Sequence, residues 1–368
     1  MADSVHLGRW LEQFEGADFQ FHLLPSSPHR RLHSKVHRLR KSGFLKMSWH
    51  LRFLALPVWL LDRLLSDWIR GALLAFESRR VRPDIVHILE FQNAGYLYLR
   101  ARKLSGTLAQ VPVLLTPYGS DMYWFRRFKN HKSKLQELLR VASAMSCECR
   151  RDELIARELG YSGPFLPRIP AFGKVDPAGG RNTKDQRNAI VIKGYQNKWG
   201  RALNAIEAVR RVESKIAGYE IHIFSCNVRT LLAARLWRKK SNLEIFTYRK
   251  NALSHTEVQE LFSKALIYVG LSVSDGISAS MIEAMVNGAV PIQSDTSCCG
   301  EWLENGKGGF LVKYDDIQQI ERHISFIVES LDFQREAAKI NEAALNEKLN
   351  GPSLELAAHS TYAHFIRS

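Results

Sequence analysis

Cysteine is scarce in this chain: five in 368 residues, an odd number without a CxxC pair. That excludes a disulfide framework and argues against structural zinc, so the five are read as reduced thiols of a cytoplasmic protein. Long apolar runs are missing too. None reaches the about 18 residues a spanning helix needs, because Asp62 and Arg63 interrupt "FLALPVWLLDRLL". No signal peptide opens the chain, no internal repeat of about 20 to 50 residues appears, and there is no long low-complexity tract. Acidic residues are in short supply, 37 Asp and Glu against 52 Lys and Arg, leaving a net charge of +15. Such an excess favours an anionic partner: nucleic acid, an acidic membrane surface or phosphorylated small molecules.

What is present is enough for packing. Apolar residues make up 45% of the chain, and the length predicts two domains of roughly 170 residues each. Short β-rich runs alternate with helical ones, which predicts an α/β architecture with parallel sheets. The strand candidates are 84–89, 111–117 and 144–149 in the first half, then 188–194, 219–225, 243–248, 265–272 and 289–295. Helical spacing fills 200–216 and 255–265. At 173–188, "GKVDPAGGRNTKDQRN" replaces apolar periodicity with glycine, proline and charge, the composition of a linker. Each half therefore reads as a doubly wound unit, whose ligands are expected outside the carboxyl ends of its strands.

One stretch carries chemistry of its own. In "SVSDGISASMIEAMVNGAVPIQSD", 272–295, a strand ends in Asp275, "DGIS" turns, and a helix containing Glu283 runs to Gly288. The turn offers backbone N–H groups of Gly276, Ile277 and Ser278 at a positive helix end, a setting for an anion. A carboxylate there can also accept hydrogen bonds from sugar hydroxyls. A second reading stays open on local chemistry: Ser280 and Glu283 fit the S-x-x-E capping box, and Asp275 initiates a turn.

The stretch "SDGISASMIEAMVNGAVPIQSDTSCCGEWLENGKGGFLV" resembles the C-terminal signature of retaining GT-B glycosyltransferases of family 4. "RPDIVHILEFQNAGY", "TPYGSDMYWF", "CECRRDELIARELGYSGPFLPRIP" and "IKGYQNKWGRALNAIEA" look like successive landmarks of that family, so the resemblance covers nearly the whole chain. It implies a GT-B fold of two Rossmann-like domains facing a cleft: an acceptor domain at 1–176, a nucleotide-sugar domain at 187–352, and a C-terminal helix at 353–368 returning to the first domain. Asp275 then contacts the donor sugar at the reacting centre and Glu283 holds the ribose. Lys193 and Lys198 grip the donor diphosphate, although lysine at 193 stands where relatives commonly have arginine, and lysine lacks the bidentate fork.

In the first half the resemblance places His6, His87, Tyr118, Gly119 and Asp121 around the acceptor or the cleft. Tyr118 stands where many relatives have histidine, and a turn-forming role for Asp121 competes with a binding one. The family's first strand, expected before "SVHLGRWLEQF", is absent, which suggests a truncated or misplaced start.

Residues 29–80 interleave basic groups with Trp, Leu and Phe. Such a segment suits the interface of an anionic membrane, and equally suits buried helices with a solvated basic face. The resemblance implies a metal-independent, cofactor-free transfer of sugar from a nucleotide-diphosphate sugar to a saccharide or lipid-linked acceptor, with retention. The setting it implies is cell-surface polysaccharide or glycolipid synthesis, in the cytoplasm or at the inner face of the cytoplasmic membrane. The competing readings are a polyanion or nucleic-acid binder without catalysis and an inactive GT-B relative. No nucleic-acid motif supports the former.

Overall fold

The computed structural model describes residues 5–26, 32–48, 56–57, 59–62, 64–65, 67–173, 187–296, 298–349 and 351–366. Most of the 173–188 linker expectation lies outside the described residues, as do parts of the 29–80 segment. The chain divides into two compact units, Met1–Lys174 with Gly351–Ser368, and Val175–Asn350.

In the first unit α1 (Val5–Glu12), β1 (Phe21–Leu23), α2 (Ser34–Lys41) and β2 (Leu45–Met47) come first, and β1 and β2 pair in parallel. Then follow α3 (Trp68–Val81), β3 (Val86–Leu89), α4 (Tyr96–Leu104), α5 (Gly106–Gln110), β4 (Val113–Thr116), α6 (Lys129–Val141), β5 (Ala144–Met145) and α7 (Arg150–Glu158). A second parallel sheet runs β3-β4-β5. Its central strand, VLLT, is buried at every position. Val113 and Leu115 pack into one hydrophobic cluster and Leu114 into another, as expected of a strand covered on both faces. The strand expected over 144–149 stops at Met145. Beyond it the Glu148 carboxylate accepts the Ala171 N–H at 2.8 Å, so a side chain takes over from the ladder.

The second unit holds β6 (Ala189–Lys193), α8 (Ala202–Arg211), β7 (Glu220–Cys226), α9 (Val228–Arg238), β8 (Glu244–Arg249), α10 (His255–Lys264), β9 (Ala265–Gly270), α11 (Ala279–Val286), β10 (Val290–Ser294), β11 (Phe310–Val312), α12 (Ile317–Glu329) and α13 (Leu331–Lys348). Its strands form one parallel sheet in the order β11-β10-β9-β6-β7-β8. The chain leaves β6 toward β8 on one side, then returns to build β9, β10 and β11 on the other. The direction of winding therefore switches between β6 and β9. Ile190, Ile192, Ile221, Ile223, Ile267 and Val269 fill the centre of the core, with α8 and α12 packed on it.

The last helix, α14 (Gly351–Ile366), belongs to the first unit. Its Ala358 and Tyr362 are buried against Trp10, Phe14, Leu114 and Ile169. Among the cysteines, Cys147 and Cys226 are buried free thiols.

Candidate active site

The switch between β6 and β9 gathers the sequence-predicted groups of the second unit. Open parallel sheets leave a crevice at such a point, because the loops on its two sides leave in opposite directions. Lys193 ends β6, and the loop after it is stitched to the loop after β9: Arg201 N–H reaches the Leu271 carbonyl at 3.0 Å, and Val273 N–H the Trp199 carbonyl at 2.8 Å. Across this seam the Lys193 ammonium lies 3.7 Å from Asp275 Oδ2, with 20% and 31% of the two side chains exposed, so both remain within reach of a ligand. Asp275 Oδ1 accepts the Gly276 N–H at 3.0 Å.

Burial pushes the Lys193 ammonium down, but Tyr268, Asp275 and Tyr195 around it outweigh burial and hold it above the ordinary lysine range. Burial also raises the Tyr268 phenol. That ring is therefore neutral at pH 7, and Asp275 is the acidic side chain that faces Lys193. Lys198 is placed differently: it is exposed, and its ammonium stands 4.9 Å from the centre of the Trp199 ring.

Glu283 is on α11, its side chain 10% exposed and its Oε1 4.0 Å from Nδ1 of His255, the first residue of α10. The capping-box alternative does not hold. The N-cap of α11 is Ser278, which makes no side-chain cap bond, and Ser280, inside the helix, accepts a hydrogen bond from the Tyr268 hydroxyl at 3.1 Å. The amino end of α11 is thus left to backbone N–H groups beside Ile277 and Ser278. At its other end Gly288 N–H bonds the Met285 carbonyl and Ala289 N–H the Ala284 carbonyl, the double closure of a Schellman motif. Gly288 has φ +86, and a Cβ there would collide with the Arg187 guanidinium at 2.2 Å.

Sequence reasoning missed His255, Tyr268 and the serines that tie the ends of β9 and β10, where Ser272 N–H donates to Ser294 Oγ at 2.9 Å. The register of β9 beside β10 brings these together, and no spacing within either strand announces it.

The first-unit candidates are His87, Tyr118, Gly119, Asp121 and His6. Both ring nitrogens of His87 are engaged, Nδ1 with the Tyr362 hydroxyl at 2.7 Å and Nε2 with Thr116 Oγ1 at 2.8 Å. Burial lowers its pKa to about 3. Asp121 is buried, and its Oδ2 accepts the Tyr118 N–H at 2.9 Å and the Phe91 N–H at 3.0 Å. Burial, with the nearby Glu90, raises that carboxyl well above the usual range. Asp121 therefore organises the turn that contains Gly119, which has φ +53. The Gly119 carbonyl accepts from Arg151 at 3.3 Å. Burial raises the Tyr118 phenol, and His6 lies on α1.

Residues 181–346 match the family model described as Glycosyl transferases group 1. This segment belongs to the group 1 glycosyl transferases. The group 1 domain holds Lys193, Lys198, Asp275 to Ser278 and Glu283. No curated protein matches the chain in sequence.

Similar solved structures include TarM from S. aureus, a variant solved with UDP, alpha-GlcNAc-glycerol and fondaparinux. It is 16% identical with a TM-score of 0.64, over 81% of this chain and 59% of that one. HepE from Anabaena, solved with UDP and glucose, is 10% identical with a TM-score of 0.68, over 97% of this chain and 95% of that one. A glycosyltransferase from Rickettsia africae is 12% identical with a TM-score of 0.69, over 100% and 96%. The chain spans less than two thirds of the length of TarM. At these identities the likeness establishes the fold, an α/β GT-B fold of two Rossmann-like domains.

Proposed function

We propose that this protein transfers a sugar from a nucleotide-diphosphate sugar to a saccharide or lipid-linked acceptor, with retention and without a metal, in cell-surface polysaccharide or glycolipid synthesis. The proposed setting is the cytoplasm, at the inner face of the cytoplasmic membrane. The observation that carries the reading is the meeting of Lys193 and Asp275 at the winding switch of a group 1 domain, beside the amino end of α11.

A departing diphosphate gathers negative charge as the glycosidic bond breaks, and a fixed cation beside a helix amino end opposes that charge without rearranging. Lys193 fits that task because it stays protonated. Its pairing with Asp275 holds the carboxylate close by, where it can accept hydrogen bonds from the donor sugar. Glu283, deeper in α11, is assigned to the ribose, and exposed Lys198 to the outer part of the diphosphate. Retention is the outcome that membership of residues 181–346 in group 1 supports.

Calorimetry with UDP, GDP and ADP, each with and without EDTA, tests the reading. The neighbours solved with UDP make it the first probe. Binding of one nucleotide, unchanged by EDTA, is expected. Failure of all three, or binding that EDTA abolishes, would overturn the proposal.

A further inference from the structure

Away from the group 1 domain, the first unit turns a group of large apolar side chains outward. Leu60, Leu61, Leu64, Leu65, Trp68 and Phe76 are 46 to 83% exposed. Trp68 and Phe76 lie two turns apart on α3, while Gly71 and Ala75 of the same helix are buried.

The exposure is built in. Asp62, buried among these leucines, accepts the Ile69 N–H at 2.7 Å and the Arg70 N–H at 3.1 Å, and pairs with Arg70 Nε at 2.8 Å. Arg70 also reaches the Ser26 carbonyl at 2.6 Å and pairs with Asp67. A carboxylate turned inward thus fixes the entry to α3 while the leucines face out. The helix sits so close to α4 that a Cβ at Gly71 would come within 2.6 Å of Arg100 Cγ. The Arg100 guanidinium in turn lies 4.7 Å from the centre of the Trp68 ring.

The charges of this stretch of the chain point one way. Among the described residues from 32 to 82 the acids are Asp62, Asp67 and Glu77. The first two are taken up by Arg70, and Glu77 by Arg80 and Ser48. Lys41, Lys46, Arg79 and Arg82 remain exposed. A second copy docked symmetrically on this surface would bring like charges together, because both partners use the same patch. A bilayer with anionic headgroups opposes them with the missing sign.

We infer that this surface docks the first unit onto a membrane carrying anionic lipid, with the leucines and Trp68 in the acyl boundary and the cations among the headgroups. The docking deepens the proposed function by placing the enzyme where a lipid-linked acceptor lies, and rests on that reading only for the acceptor.

The test is flotation of the full chain with vesicles of phosphatidylcholine alone and of phosphatidylcholine with phosphatidylglycerol, at low and high salt. Flotation with the anionic vesicles is expected, weakened by salt. Leu64→Ser with Leu65→Ser should reduce it by about tenfold or more, leaving melting temperature and UDP affinity unchanged. Lys46→Glu with Arg79→Glu should reduce it too, which guards against a folding defect in the first variant. Equal flotation of variants and parent, equal partition onto neutral and anionic vesicles, or a dimer that the leucine variant dissociates with no flotation would each overturn the inference. If flotation holds while no nucleotide binds, the transferase reading fails and the docking stands.

Discussion

Asp275 and Glu283 are eight residues apart and meet different partners, Lys193 for the first and His255 for the second. They should therefore fail differently. On the proposed reading Asp275→Asn alters charge and alignment beside the donor sugar, so it is expected to slow transfer by roughly 100-fold or more with nucleotide affinity nearly unchanged. Glu283→Gln should mainly weaken nucleotide binding, because it removes a charged acceptor from a ground-state contact. If the acids were only helix punctuation, each variant would instead lose on the order of 1 kcal/mol of stability and keep its turnover. Nucleotide affinity, turnover and melting temperature measured on both variants separate the outcomes. Both acids were legible from their motif, whereas His255 was not, because a histidine that merely opens α10 gains its neighbour only when α10 and α11 pack.

At the scale of elements, the join between α14 and β3 sets how the first unit responds to acid. Trp10 Nε1 donates to the Tyr362 hydroxyl at 3.1 Å. That hydroxyl shares a hydrogen bond with His87 Nδ1, and Nε2 shares one with Thr116 Oγ1. Burial disfavours a charge on this ring. The folded ring accordingly stays neutral down to about pH 3, while an unfolded histidine takes a proton near 6.5. The unfolded chain binds that proton first, so this group's contribution to stability is present above pH 6.5 and is lost as pH falls toward 3. His87→Asn should flatten the fall of melting temperature between pH 6.5 and 4, and Tyr362→Phe should lower the melting point at neutral pH by removing a buried hydrogen bond of roughly 1 kcal/mol. Thermal scans across that range check both. The strands themselves were readable where β-branched runs are continuous, as in Ala189–Lys193 and Ala265–Gly270. Leu45–Met47 and Phe310–Val312 were missed, because three residues carry too little periodicity to stand out from their surroundings.

For the molecule as a whole, two units with separate hydrophobic clusters predict two unfolding transitions in scanning calorimetry. A nucleotide bound at Lys193 and Glu283 stabilises only the unit that contains them. At 100 times its dissociation constant the gain is about 2.7 kcal/mol, or a shift of roughly 5 to 10 °C in the transition of Val175–Asn350. The other transition should stay in place. A common shift of both transitions would show that the units do not unfold separately.

The sequence alone determined the alternation of strands and helices, because a strand buried on both faces must be a continuous apolar run and an amphipathic helix must repeat every 3.6 residues. It also determined the strand–turn–helix of 272–288, since only a turn rich in small residues allows Ser278 to open α11 and Gly288 to close it. Tertiary structure decided the rest. The pairing of Lys193 with Asp275 joins residues 82 positions apart through the neighbouring ends of β6 and β9. His87 is drawn into packing by Tyr362, 275 positions away. Leu60, Leu61, Leu64 and Leu65 face outward because the buried Asp62 among them is turned inward to Arg70. An apolar run has the same composition whether it is destined for a core or a surface, and only its contacts decide between the two.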